Sequence, residues 1–346
     1  MNKGIFSIPV YNQNTSMTKM LNEVIAQVVK ADKWGLKEAF FGEHITDKHE
    51  KITSSLMMVA TLAKLTKKIK LGTLTINLNF YTPAVVAALV SIADNLSEGR
   101  LILGVGSGAN MSDIEAINSI DRNNHALTLE IEAIVKKLLK SDSLVNIESE
   151  NFKVSTKKFG NKDLGLGYFN DLYNKREDLD IIMPALNANS YNVKLCAKNK
   201  WSIVISNFCS EEIIDNHISS YLENSPLDTK EAYKKIKLSK LIFAHNDKNK
   251  AKDLAFSDKS PFMEVINAIY TKLKKFDKHH ACFGKNINSV QDAAKSTLLY
   301  GNPDQISEHL INKYKDLSSI IYVTVPITDN DDFDNSLEIF SKHVRV

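Results

Sequence analysis

The stretch EAFFGEHITDKHE, residues 38–50, sets a cluster of ionisable side chains directly behind an apolar run. Ala39 to Gly42 suit the interior of a sheet, whereas Glu43, His44, Asp47, His49 and Glu50 could not be buried there unpaired. A metal site is the first chemistry to test. His44 and His49 lie five apart, helical ligand pairs want three or four, and no H-x-H or second ligand cluster follows, so no metal site is expected. An acid–base role for His44 is the second, because an imidazole titrates near neutrality. A loop histidine bonded to Glu43 or to backbone would look the same, and position alone leaves both open. Asp47, His49 and Glu50 read as loop residues without an assigned role.

Two further stretches could hold a ligand. LILGVGSGAN carries Gly104, Gly106 and Ala109 as G-x-G-x-x-A behind a strand, the spacing of a dinucleotide turn. That turn usually opens its fold, and here three strand–helix units precede it. The following NMSDIEAINSID is also too polar for the helix that should pack on the sheet. A glycine-rich strand end nevertheless allows backbone to approach a flat or anionic ligand. In PALNANSYNVKL, Asn187, Asn189 and Ser190 stand at a helix start, where free N–H groups could take a phosphate or where Asn189 or Ser190 could simply cap.

The elements that must position these residues alternate along the whole chain. Strands are expected at 4–10, 38–41, 69–78, 100–105, 180–185, 201–206, 235–244 and 320–327, with helical patterns between them. Ser54 or Ser55 can cap the helix at 54–65, and Thr82–Pro83 is a strong helix start. Eight strands, each followed by a crossover, predict an α/β fold, a (β/α)8 TIM barrel spanning 1–346 as one domain. Polar residues 140–179 form an insertion after strand four, and the lysine-rich helical tract at 248–300 one after strand seven. In such barrels the carboxyl ends of the strands form the active face, which places Glu43 and His44 where catalysis is expected.

Composition narrows the classes. The 346 residues are 43% hydrophobic and 25% charged with a net charge of +3, a globular balance without a basic face for nucleic acid. Three cysteines without a C-x-x-C favour a reducing compartment. No run approaches the roughly 18 apolar residues of a spanning helix, so no membrane partner and a cytoplasmic location are expected.

Three segments together resemble the bacterial luciferase-like family of flavin-dependent monooxygenases. They are FFGEH, then IKLGTLTINLNFYTPAVVAALVSIADNLSEGRLILGVGSG, then YGNPDQISEHL before the last strand. The resemblance implies a barrel that binds FMN, or less commonly a deazaflavin, at the carboxyl-end face. It also implies a separate flavin reductase, a homodimer made through first-half helices, and attack of a flavin C4a-peroxide on a small organic substrate with O2. His44 matches the family's acid–base histidine, and Glu43 its acidic neighbour and orienter. Leu74–Thr75 matches a strand-three bulge, often with a cis peptide, against the flavin ring. Gly104, Gly106, Ser107 and Gly108 match the strand-four end beside it, and Asn187, Asn189 and Ser190 the phosphate loop. Ile45, Thr82 and Ser107 replace a second histidine, another histidine and a phosphate-binding arginine of the pattern. Gly106 replaces the cysteine of true luciferases, so light emission is not expected. The alternatives are a non-catalytic flavin-binding or partner subunit of the same fold, and a deazaflavin-dependent hydride-transfer enzyme.

Overall fold

The computed structural model describes residues 1–7 and 10–346. Eight parallel strands close into a barrel: β1 (Asn2–Ser7), β2 (Glu38–Phe41), β3 (Lys70–Thr73), β4 (Leu101–Gly106), β5 (Asp180–Ala185), β6 (Ser202–Ile205), β7 (Ile236–Ala244) and β8 (Ser319–Val323). Closure is explicit at Ser319 of β8, which stands in register with Asn2 of β1 and with Lys237 of β7. The expected strand at 4–10 thus begins two residues early, and its Ile8 and Pro9 lie outside the described residues.

The strands are almost wholly apolar because helices cover them outside and side chains fill them inside. Most of the charged exceptions lie at or near the amino-terminal end. Lys237 Nζ donates to both oxygens of Glu38, at 2.7 and 2.6 Å, and Ser319 Oγ bonds the same carboxylate. β2 and β7 are not neighbours in the sheet, so this ion pair crosses the lumen and plugs the floor of the barrel. It explains Lys237 within KIKLSKLIFA.

The expected strand at 69–78 is broken. β3 stops at Thr73, the Leu74–Thr75 peptide is cis, and Ile76–Asn77 then pairs with Val105 and Gly106 of β4. The bulge re-aims the chain towards the barrel mouth, at the place the resemblance implies. Ser54, in extended backbone, caps helix Ser55–Ala63 by accepting from Met57 N. Pro83 opens helix Pro83–Leu96 as expected, while Thr82 makes no side-chain cap.

Both insertions are present. The first contains an antiparallel hairpin, Asn146–Glu148 with Lys153–Ser155. The second holds helices Lys248–Ala255, Pro261–Lys275, His279–Phe283 and Val290–Thr297, and returns as strand Leu298–Gly301 parallel to β7. That strand is not foreseen in the sequence, because Leu298–Gly301 follows a helix with no breaker between them. No helix among the described residues is long and apolar enough to cross a membrane.

Candidate active site

His44 emerges just beyond the end of β2 at the carboxyl-end mouth, and both of its ring nitrogens face carboxylates. Nδ1 lies 2.9 Å from Asp113 Oδ2, and Nε2 lies 3.4 Å from Glu50 Oε2. Asp113 belongs to the short helix Met111–Ala116, and its side chain is 1% exposed. Its other oxygen accepts from Thr46 N at 2.8 Å and from Thr46 Oγ1. The helix whose sequence reads as too polar to pack therefore buries its acid as a fixed partner for the histidine. A buried carboxylate so bonded stays ionised: its pKa is lowered, because the hydrogen bonds and the His44 charge outweigh burial.

Burial alone would push the His44 pKa down, but the hydrogen bonds to Asp113 and Glu50, with the charge of Glu50, raise it to about 9. The imidazole is thus cationic at neutral pH and presents N–H groups at both nitrogens. It is arranged to donate a proton rather than to accept one.

Glu43 does not orient His44, contrary to the expectation from sequence. Its Oε2 accepts from Ser55 N at 2.9 Å and Ser55 Oγ at 2.8 Å, and its Oε1 accepts from Asn77 N at 2.8 Å. Asn77 Nδ2 returns to the Glu43 carbonyl, and Thr75 Oγ1 donates to Asn77 Oδ1. Burial is the largest influence on Glu43 and raises its pKa, with these donors opposing. The side chain is a clamp that fixes the bulge after β3 and the start of a helix against the end of β2. The histidine is oriented by Asp113 instead, 69 residues away in sequence.

The β4 end packs directly on that bulge. A Cβ on Gly104 would collide with Thr73 O, and one on Gly106 with Thr75 Oγ1. Thr73 Oγ1 also bonds both the N–H and the carbonyl of Gly104. The two glycines are thereby explained by close approach of β3 and β4. Gly108 has φ +77°, which favours glycine, and follows the partly exposed Ser107 at the mouth.

Asn187 and Asn189 lie on the loop after β5, and Ser190 is the cap of helix Tyr191–Asn199 without a side-chain bond. Ala188 N donates to Ala281 O at 2.8 Å, tying this loop to the second insertion. Beside the helix start, the His125 ring meets Tyr191 edge-on at 5.1 Å, and its buried Nε2 has no partner among the described residues.

Asp113 and Lys272 escape the sequence reading, and Glu50, read there as a loop residue without a role, stands beside His44 Nε2. Lys272, from helix Pro261–Lys275, donates to Asp47 Oδ2 at 2.8 Å and lies 3.8 Å from Glu50 Oε1. The only local signal for any of them is an acid in the first turn of a helix starting at the mouth.

Residues 1–160 match the family model described as luciferase-like monooxygenase. A 4-hydroxyprotoasukamycin monooxygenase of Streptomyces nodosus subsp. asukaensis is 31% identical over 123 residues, 36% of this chain and 33% of that protein. The chain spans about a third of the length of the curated relatives it matches first. Among solved structures, the oxygenating constituent of 3,6-diketocamphane monooxygenase from Pseudomonas putida, a type II Baeyer–Villiger enzyme in complex with FMN, superposes with a TM-score of 0.84 at 19% identity. That likeness covers 99% of this chain and 97% of the other. An F420-dependent secondary alcohol dehydrogenase superposes with a TM-score of 0.68 at 15% identity, covering 99% and 98%. At these identities the likeness establishes the (β/α)8 fold.

Proposed function

From the match of residues 1–160 to the luciferase-like monooxygenase family model, we propose that the chain is an FMN-linked oxygenase acting on a small organic substrate with O2. The observation that carries the reading is His44, cationic and fixed on a buried carboxylate, beside a strand end and bulge built for close approach. The whole chain, 1–346, is taken to act as one barrel.

The residues fit a flavin at two points. Ser190 and the first turn of helix Tyr191–Asn199 leave donors free for a phosphate, with the unpartnered His125 Nε2 beside them. A ring would lie against the mouth at Leu74–Thr75 and Ser107–Gly108, with Gly104 and Gly106 shaping that surface from behind by admitting Thr73 and Thr75. When bound, reduced flavin would supply the electrons and the reactivity towards oxygen. The protein's own part is to hold the ring, exclude water and donate a proton from His44 to the oxygen of the substrate-derived product. Asn187 and Asn189 would line the phosphate end.

A separate reductase would deliver the reduced flavin, by analogy with the Pseudomonas neighbour, which is the oxygenating constituent of its own monooxygenase. Helices Ser55–Ala63 and Pro83–Leu96 pack together and expose Met57, Val85, Leu89 and Ile92, an apolar face suited to a homodimer. A second reading, hydride transfer with a deazaflavin, draws on the F420-dependent neighbour and on Ser107 in place of a phosphate-binding arginine. Anaerobic titration with reduced FMN and with reduced deazaflavin, followed by oxygen uptake, separates the two. Tight binding of reduced FMN with FMN-dependent oxygen uptake supports the first reading, and hydride transfer from deazaflavin alone the second.

A further inference from the structure

The two nitrogens of His44 are held very differently. Asp113 is committed: buried, doubly bonded to Thr46, and at hydrogen-bond distance from Nδ1. Glu50 is not. Its Oε2 stands 3.4 Å from Nε2, longer than a tight N–H to carboxylate bond, and its side chain is 14% exposed. Nε2 is therefore the nitrogen free to serve a reacting atom, with Glu50 as a displaceable partner. A narrow crevice lined by Met20, Gly42, His44, Glu50, Lys51 and Ile52 runs beside the pair, and both side chains keep some exposure.

Glu50 is itself tethered. Lys272 Nζ lies 3.8 Å from its Oε1 and donates at 2.8 Å to Asp47 Oδ2, so one ammonium bridges two acids of the loop after β2. The charged groups facing His44 are thus Asp113 from helix Met111–Ala116, Lys272 from helix Pro261–Lys275, Glu50 and Asp47 from the loop, and Glu43 at the strand end.

We propose that Glu50 is the proton-exchange partner of His44 Nε2, with Lys272 as the positioning residue that keeps its carboxylate in reach. The role in turnover rests on the oxygenase reading above; the exchange itself does not. After Nε2 gives up its proton, the Glu50 carboxylate takes one from a hydronium ion or buffer acid. The new carboxyl then passes that proton to Nε2: the O–H bond breaks, the N–H bond forms, and Glu50 returns to its ionised state. No electrons move, and the net change is one proton from solvent to the imidazole.

The test is nuclear magnetic resonance of the flavin-free protein, following exchange of the His44 Nε2 proton with water. Glu50→Gln keeps the shape on a partly exposed loop and is expected to slow exchange roughly tenfold, with Glu50→Asp restoring most of it. Lys272→Met is expected to slow exchange by a smaller factor, and a wild-type rate in that variant removes Lys272 from the proposal. An unchanged exchange rate in folded Glu50→Gln overturns the assignment of Glu50. Turnover then locates a failure: if Glu50→Gln slows exchange but the wild type consumes no oxygen with reduced FMN, the oxygenase reading fails and the exchange pair stands. Rescue of turnover by added acetate in Glu50→Ala, which opens space beside Nε2, is the outcome expected when both hold.

Discussion

Replacing Asp113 by asparagine removes one charge from the most buried contact in the site while keeping its shape. The amide has a single oxygen: kept on Thr46 N it turns its N–H towards His44, and turned towards His44 it loses the Thr46 bond. In the wild type the imidazole titrates at about 9, because Asp113 and Glu50 outweigh burial. An opposite charge within hydrogen-bond reach shifts a pKa by about 1–3 units, so Asp113→Asn should bring His44 down by roughly 2. The same shift appears in stability. A histidine whose folded pKa exceeds its unfolded value stabilises the fold fully below the unfolded pKa, and that contribution disappears as pH rises through the folded one. The side chain is 14% exposed, so solvent screening is modest. A shift from 6.5 to about 9 is worth about 3 kcal/mol, present below the unfolded pKa and lost above the folded one. Urea unfolding on either side of that window, at about pH 6 and about pH 10, should show the loss in the wild type and about a third of it or less in Asp113→Asn, with nuclear magnetic resonance titration of His44 as the direct readout. A wild-type His44 titrating near its ordinary value, or one that ignores the Asp113 substitution, would refute the reasoning.

Glu43→Ala leaves Ser55 N, Ser55 Oγ and Asn77 N without their acceptor, and should destabilise the fold by about 3 kcal/mol or more in urea unfolding, whereas Glu43→Gln should cost less. Gly106→Ala drives a methyl against Thr75 Oγ1 and should cost about 2 kcal/mol, partly recovered in the double variant with Thr75→Ala; an additive double variant would contradict the contact. Ile92→Asp, on the exposed apolar face, tests the proposed homodimer: it should sediment as a monomer where the wild type sediments as a dimer, with an unchanged circular dichroism spectrum.

The barrel is legible because β-strands covered on both sides are written as short apolar runs, and all eight lie within a few residues of their expected places. Where the reading fails, the cause is non-local. The strand Leu298–Gly301 is defined by its pairing with β7, not by any local pattern. IKLGTLTINL looks continuous, yet its path is fixed by Glu43 reaching across to Asn77 and by Gly104 and Gly106 admitting close approach. Glu43 and His44 are adjacent in sequence, which suggests a pair, but the backbone sends one into a clamp and the other to Asp113. Asp113 and Lys272 lie far along the chain from His44, beyond the reach of any spacing rule. Glu50 is within reach, but nothing local distinguishes it from the acids and lysines of an ordinary solvated loop.

The most direct measurement is rapid mixing of the anaerobic complex with reduced FMN against oxygenated buffer, in the wild type and in His44→Ala. The expected result is tight binding of reduced FMN by both, with oxygen-dependent turnover at least about tenfold lower in His44→Ala. Failure of the wild type to bind reduced FMN, or equal turnover in the two proteins, would contradict the assignment of this barrel as an oxygenase that uses His44 as its proton donor.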